Sequence, residues 1–283
     1  MSREIIFGVY GGDVRTDWIK TVLAEKGYET ETEIKNRTPR EEVKKCSAVF
    51  LPAPLTADGK NLYAPSCEQK LELKSFIKKI PASAPLFCGR AKEEYLEEIR
   101  KDGYNIYDCF KDESFLIENA VITAEGAVQL ALNHTKDTLW NSKTLVLGYG
   151  RVAKALTKRL SVLCGKKVKV YARREQIRTE IRCDGLSEID SFTRDFDNFN
   201  IVFNTVPSLL IDENLLKKAN KNCLIIDLAS SPGGVDFKAA EREGITAISA
   251  LSLPAKTAPK AAAEIFVNTA LKKLTEVKEN AKS

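Results

Sequence analysis

Apolar residues recur along this chain in two rhythms, short runs suited to strands and longer stretches with a period near 3.6. In the first half, residues 4–9, 47–51, 85–88 and 104–107 predict strands, and helical patterns follow at about 16–26, 66–79 and 92–101. In the last of these, Tyr95, Leu96 and Ile99 form the apolar stripe and the charges lie outside it. The connections are short and polar, which predicts a parallel sheet with helices on both faces. From Thr123 to about Trp140 the pattern changes. Ala-Glu-Gly-Ala-Val-Gln-Leu-Ala-Leu-Asn-His is apolar nearly all round, so a connecting helix buried on most sides is expected. A second series of strands then falls at 144–147, 167–171, 201–204, 224–228 and 246–248, and a final helix at about 257–278. The fold class is α/β, with two doubly wound parallel-sheet (Rossmann-like) domains and a cleft between them. The expected boundaries are 1–122 for the first domain, 123–142 for the connecting helix and 143–252 for the second domain. Residues 253–283 form a C-terminal helix that returns toward the first domain.

Composition narrows the function more than the fold. The 283 residues, 43% hydrophobic and 29% charged, suit two ordinary globular domains. Forty-four Lys and Arg against 39 Asp and Glu leave +5, scattered along the chain, whereas nucleic-acid binding needs a concentrated basic face. No apolar run approaches the roughly 20 residues of a membrane span. The N-terminus enters a short strand without a small-residue cleavage site, so no signal peptide is read there. A soluble, cytoplasmic protein acting on neither membrane nor nucleic acid is expected. Seven cysteines without a CxxC pair, and a single histidine, argue against a disulfide framework or a metal site. Reduced, mostly buried thiols are expected, and any catalytic histidine has to be His134.

The sharpest motif is Thr144-Leu-Val-Leu-Gly148-Tyr149-Gly150-Arg151-Val152-Ala153, a strand, then Gly-x-Gly-x-x-Ala, then a helix carrying Val152, Leu156 and Leu160. Gly148 permits the tight turn, Gly150 lets backbone approach a pyrophosphate, and Ala153 lets helix and strand pack closely. The helix start offers amides and positive dipole to phosphates. The alternative is a Rossmann-shaped domain without a ligand. The next strand ends in Arg173-Arg174 rather than in the carboxylate that holds an NAD ribose. Paired guanidiniums suit a 2′-phosphate, so NADP is favoured over NAD, against the alternative of solvated surface charge. Two loops leave later strands at their carboxyl ends, Asn204-Thr205-Val206-Pro207 and Asp227-Leu228-Ala229-Ser230. Both are placed to border the ribose and nicotinamide.

The first strand runs into Gly11-Gly12-Asp13-Val14-Arg15, where helix-start amides and the Arg15 guanidinium form a candidate carboxylate receptor. The loop Leu51-Pro-Ala-Pro-Leu-Thr56-Ala-Asp-Gly59 is a substrate loop or an ordinary surface loop. On the connecting helix, Glu125 and Gln129 share a face, and Glu125 is read in the first turn, where a carboxylate suits the macrodipole. His134 lies nine residues on, roughly opposite, so a direct Glu125–His134 dyad is disfavoured. His134 is read either as a catalytic group or as hydrogen-bonded support.

Taken in order, Gly11-Gly-Asp-x-Arg15, Thr123-Ala-Glu-Gly-Ala127, His134-Thr, Gly148-Tyr-Gly-Arg151, Asn204-Thr-Val-Pro207, Asp227-Leu-Ala-Ser-x-Pro-Gly-Gly-Val-Asp-Phe237 and Leu253-Pro-x-x-x-Ala-Pro-Lys260 resemble the dipicolinate synthase A-subunit family of spore-forming bacteria. The chain departs from it at Val121-Ile122, before Thr123. The resemblance implies NADP-linked oxidation of a dihydrodipicolinate, derived from the lysine pathway, to pyridine-2,6-dicarboxylate. It implies a flavoprotein-like partner, the dipicolinate synthase B-subunit, and expression in the mother cell during sporulation; a homo-oligomer is also expected. Residues 1–122 become the substrate domain and 143–252 the NADP-binding domain. For this substrate Gly12, Asp13, Arg15, Lys256 and Lys260 are the expected contacts, with Glu125 and His134 as the catalytic candidates. Two other readings stand beside it, a generic NADP-dependent hydroxy-acid or imino-acid dehydrogenase and a non-catalytic nucleotide-binding subunit.

Overall fold

The computed structural model describes residues 5–32, 46–65, 67 and 70–280. Among them the chain divides into two compact units, one within Met1–Glu118 and Ala258–Ser283, the other Asn119–Thr257. The first contains β1 (Ile6–Val9), α1 (Val14–Glu25), β2 (Glu29–Thr32), β3 (Ala48–Phe50), α2 (Leu73–Ile77), β4 (Leu86–Cys88), α3 (Glu93–Lys101) and β5 (Ile106–Asp108). Helix α4 (Glu113–His134) then leads into the second, with β6 (Thr144–Leu147), α5 (Arg151–Cys164), β7 (Val168–Tyr171), α6 (Glu175–Cys183) and β8 (Ser187–Ile189). There follow β9 (Ile201–Asn204), α7 (Glu213–Leu216), β10 (Leu224–Asp227), α8 (Phe237–Arg242), β11 (Thr246–Ser249) and α9 (Leu253–Thr257). Helix α10 (Pro259–Asn280) belongs to the first unit.

Both sheets are wholly parallel. The first has order β2-β1-β3-β4-β5 and the second β11-β10-β9-β6-β7-β8. These are the two common doubly wound orders, and in each the winding reverses at one place, between β1 and β3 and between β6 and β9. Alternate side chains feed opposite faces of each sheet. In the first unit Phe7, Val9 and Phe50 face α1 and α10, while Val49, Leu86 and Cys88 face α2 and α3. In the second, Val146, Val170 and Phe203 pack on α4, α5 and α6, and Leu145, Leu147 and Val202 on α7 and α8. Wholly buried Phe7, Phe50, Phe87 and Phe203 each contribute about 1.5–3 kcal/mol of burial.

Several elements depart from the expectations. The edge strands β2, Glu-Thr-Glu-Thr, and β8, Ser-Glu-Ile, carry no apolar run, because an edge strand with solvated sides does not need one. Of the helix expected over 66–79 the described residues form only α2; Ser66, Glu68 and Gln69 lie outside the described residues. The final helix is interrupted between Thr257 and Pro259, since a proline disfavours helix in the residue before it and suits the first helical turn.

Helix α4 differs most. It starts at Glu113, ten residues before the expected boundary at 123, and it is not buried on most sides. Ala124, Ala127 and Ala131 are wholly buried, but Val121, Glu125, Gln129 and Leu132 are exposed. An 18-residue window within its 22 residues has a mean hydropathy of 1.3, which by length and composition reaches what a membrane crossing requires, against the expectation that no such run exists. Its alanine face sits in the core of the second unit, as in the core helix of a globular domain.

Candidate functional site

The turn after β6 is built by backbone. Gly148 has φ +98°, and a Cβ there would overlap Thr205 Oγ1 and press Val206 Cγ2 at 3.0 Å. Its N–H donates to Tyr171 O at 2.9 Å, which ties the ends of β6 and β7 together. Thr205 Oγ1 donates to Leu147 O at 2.8 Å, holding the loop after β9 against the same turn. Gly150 then caps α5 with no side-chain acceptor, no acidic residue occupies the first turn, and a Cβ on Gly150 would meet nothing within 4 Å. The helix start, with Arg151 and half-buried Val152 in its first turn, thus opens onto free space fit for an anion.

A cavity of about 360 Å³ lies over this turn. Gly148, Tyr149 and Gly150 form one side, Arg173 and Arg174 another, and Val206, Ser208 and Leu210 a third. Both arginines are exposed, and neither is engaged by a carboxylate among the described residues. Glu175 does not neutralise them. It is tied to Arg178 and, at 2.8 Å, to Arg182, which hold its carboxyl below the usual range. Tyr149 folds into the wall, with its hydroxyl donating to Asp184 Oδ2 at 2.5 Å and Lys154 Nζ 5.4 Å from the ring centroid. Burial and the Asp184 carboxylate push that phenol well up.

The two loops expected to touch the cofactor divide into a contact and a support. Val206 lines the cavity, whereas Pro207 and Ser230 are exposed and Ala229 is buried. Asp227, expected as a contact, is 3% exposed, and its oxygens are spent within the protein. Oδ1 accepts from Asn204 Nδ2 at 2.8 Å and Ala229 N at 3.1 Å, and Oδ2 accepts from Gly234 N at 2.9 Å. Asn204 stands opposite Asp227 in the β9–β10 register and also accepts from Val206 N at 3.1 Å. This pair therefore shapes both loops and keeps Val206 in place. Ile177, Ser208 and Leu210 are lining residues that the sequence reading missed; Ile177 shows only as an apolar residue in a polar segment, and Ser208 and Leu210 follow the loop Asn204–Pro207 directly.

In the first unit, the Gly11-Gly12 turn sits at the winding reversal between β1 and β3. Gly12 has φ +85°, and a Cβ would overlap Thr16 Oγ1; its N–H donates to Tyr63 O at 2.6 Å. The expected receptor is occupied from within. Arg15 Nε and Nη2 donate to Asp13 Oδ1 and Oδ2 at 2.9 and 2.8 Å, and Nη2 also donates to Ala53 O. Asp13 caps α1 through Arg15 N at 3.1 Å. Burial opposes ionisation of Asp13, but the Arg15 hydrogen bonds and charge outweigh it, so its carboxyl lies below the usual range.

The remaining candidates are exposed or ion-paired. Lys260 pairs with Glu25 at 2.7 Å, 6.0 Å from the Trp18 ring centroid. Glu25 ends α1, so Lys260 is committed to the far end of a helix whose Arg15–Glu25 span is roughly 15 Å. Lys256 is exposed on α9. Glu125 is not at a helix start but in mid-α4, exposed and paired with Arg159 of α5 at 2.7 Å. His134 is the exposed last residue of α4, its Nδ1 2.9 Å from Leu130 O. Nine residues of helix, roughly 13 Å, separate it from Glu125. Of the cysteines, Cys46, Cys88, Cys109, Cys164 and Cys223 are buried, Cys67 is half-buried and Cys183 is exposed.

Comparison with known proteins bears on the whole arrangement. The dipicolinate synthase A-subunit N-terminal domain family matches residues 6–110. The dipicolinate synthase A-subunit of Bacillus subtilis is 34% identical over 218 residues, spanning 75% of this chain and 72% of that protein. The crystal structure of the dipicolinate synthase A chain from Bacillus subtilis superposes with a TM-score of 0.82 at 28% identity, over 99% of both chains. That of the A-subunit from Bacillus halodurans gives 0.83 at 26%, over 97% of this chain and 99% of the other. A transhydrogenase from Sinorhizobium meliloti, 14% identical with a TM-score of 0.69, shares the fold, covering 97% and 94%. Identity at this level spans both the Gly11-Gly12 turn's unit and the Gly148–Gly150 turn's unit, because the match takes three quarters of the chain. The chain belongs to the dipicolinate synthase A-subunit family.

Proposed function

We propose that this chain is an NADP-dependent oxidoreductase that converts a dihydrodipicolinate to pyridine-2,6-dicarboxylate, working with a flavoprotein-like B-subunit in a sporulating mother cell. One observation carries the cofactor reading. The open space at Gly150 faces an uncapped helix start, and the cavity wall beside it presents two arginines where an NAD site has a carboxylate. These residues fit the group: the amino end of α5 would hold the pyrophosphate, and Arg173 and Arg174 the 2′-phosphate. The nicotinamide, when bound, supplies the hydride acceptor. Aromatisation of the ring favours hydride departure, so the protein's task is to hold and orient the substrate and take up one proton. Asn204 and Asp227 keep the loops after β9 and β10 fixed, while the first unit supplies the substrate contacts around Gly12, Asp13 and Arg15.

The generic hydroxy-acid dehydrogenase reading calls for a histidine beside a carboxylate. His134 is bonded to its own helix, nine residues from Glu125, and does not form that pair. The test is direct. The purified chain, with and without its partner, is given dihydrodipicolinate or 2-hydroxy acids with NADP or NAD, and reduced-nucleotide absorbance is followed. NADPH formation with dihydrodipicolinate is expected. Turnover of hydroxy acids alone, or none with the partner present, overturns the reading.

A further inference from the structure

The geometry points to Asp13 as the specificity-determining residue of the first unit: it fills the guanidinium fork of Arg15 and so denies bidentate capture to flexible dicarboxylates, which have no ring to hold them elsewhere. The proposal rests on the first unit being the substrate domain, and it changes what that domain recognises.

Arg15 has five N–H donors. Nε and one Nη2 hydrogen are spent on the two Asp13 oxygens, and the second Nη2 hydrogen on Ala53 O. Only the two hydrogens on Nη1 remain, since no partner of Nη1 occurs among the described residues. Bidentate capture of a carboxylate needs donors on two nitrogens, in the parallel arrangement that Asp13 already uses. A second carboxylate can reach Arg15 only at the single nitrogen Nη1, and it meets a pair whose net charge is zero. A free dianion therefore gains little there, while a rigid substrate held elsewhere by its ring still finds one directional donor.

Asp13 is not a loose stand-in that a ligand displaces. It caps α1 through Arg15 N, and its own carbonyl accepts from Thr16 N at 2.8 Å. The preceding turn is held by Gly12 N to Tyr63 O, and the side chains of Arg15 and Asp13 are only 19% and 24% exposed. Displacement would strip a partly desolvated carboxylate of its counter-charge and the helix of its cap. Ala53, which takes the third hydrogen bond, follows β3, so the pair spans the winding reversal of the sheet, where ligands of such sheets collect.

The test uses the full chain and two probes, glutarate as a flexible dianion and pyridine-2,6-dicarboxylate as the rigid one, titrated calorimetrically. Asp13→Asn keeps a good helix cap but removes the charge, and Asp13→Ser does the same with a smaller group. Both variants should bind glutarate at least tenfold more tightly than the parent, and Asp13→Asn combined with Arg15→Gln should lose that gain. Nucleotide affinity, read in parallel, should stay near the parent's, while the melting temperature falls modestly as Arg15 loses its counter-charge. Glutarate binding equal in parent and variants, or a gain that survives loss of Arg15, overturns the proposal. Should Asp13→Asn fail to fold, Asp13→Ser carries the same comparison. Failure of the rigid diacid to bind any form, with an Arg15-dependent glutarate gain intact, counts against the dipicolinate reading and leaves the filter standing.

Discussion

Replacing Arg173 and Arg174 together by Gln tests the nucleotide assignment at its most specific point. Both side chains stand at the cavity wall after β7, exposed, without a carboxylate partner among the described residues, so each is available to a phosphate. A hydrogen bond to a charged group contributes about 1.5–3 kcal/mol net. Exposure and salt place these two at the lower end, about 1.5 kcal/mol each. The double variant should then lose about 3 kcal/mol toward NADP, roughly 100-fold in Kd, at about 1.4 kcal/mol per factor of ten. NAD lacks the 2′-phosphate, and its affinity should change less than about threefold. Calorimetric titration of both nucleotides at low and moderate salt measures the two losses. The NADP loss should also shrink as salt rises, because the parent's advantage is screened. Equal losses for the two nucleotides, or an NADP affinity that does not move, refutes the reasoning and leaves the arginines as solvated charge.

Gly150→Val should abolish nucleotide binding while the melting temperature stays close to the parent's, because φ of −82° suits any residue and the new side chain enters open space; calorimetry that still finds the nucleotide binding would move the site elsewhere. Asp227→Ala should cost about 3–5 kcal/mol in urea unfolding, since Asn204 Nδ2 and two backbone amides lose a buried acceptor. A loss under about 1 kcal/mol would mean that the loops after β9 and β10 hold themselves. Glu125→Gln should shift stability by less than about 1 kcal/mol, as expected for an exposed ion pair with Arg159, and leave turnover near the parent's. A collapse of turnover with both ligands still bound would restore Glu125 as the proton acceptor.

What could be read from the sequence was what backbone alone decides. The strand, two glycines and helix at 144–160 announce their turn locally, although Tyr171 and Thr205 also hold it, and β6 and β9 fall at the expected residues. Arg173 and Arg174 follow directly, because a strand end fixes where they stand. The polar edge strands and the start of α4 were hidden for a related reason: solvated edges and exposed helix faces relax the hydrophobic pattern that marks an element. What could not be read was which charges are already spent. Lys260 is consumed by Glu25 across 235 positions of sequence, Glu125 by Arg159 across 34, and Arg15 by a carboxylate only two residues away. Even that short spacing does not announce itself, because Asp-x-Arg at a helix start is equally compatible with two side chains splayed toward a ligand. The availability of a charge is a difference between what a residue carries and what the fold has taken from it. By that measure Arg173 and Arg174 keep their full charge for a ligand, whereas Arg15 keeps one nitrogen. On the proposed reading, a 2′-phosphate would meet uncommitted cations in the second unit, and a carboxylate in the first would meet a neutral pair that responds to position more than to charge.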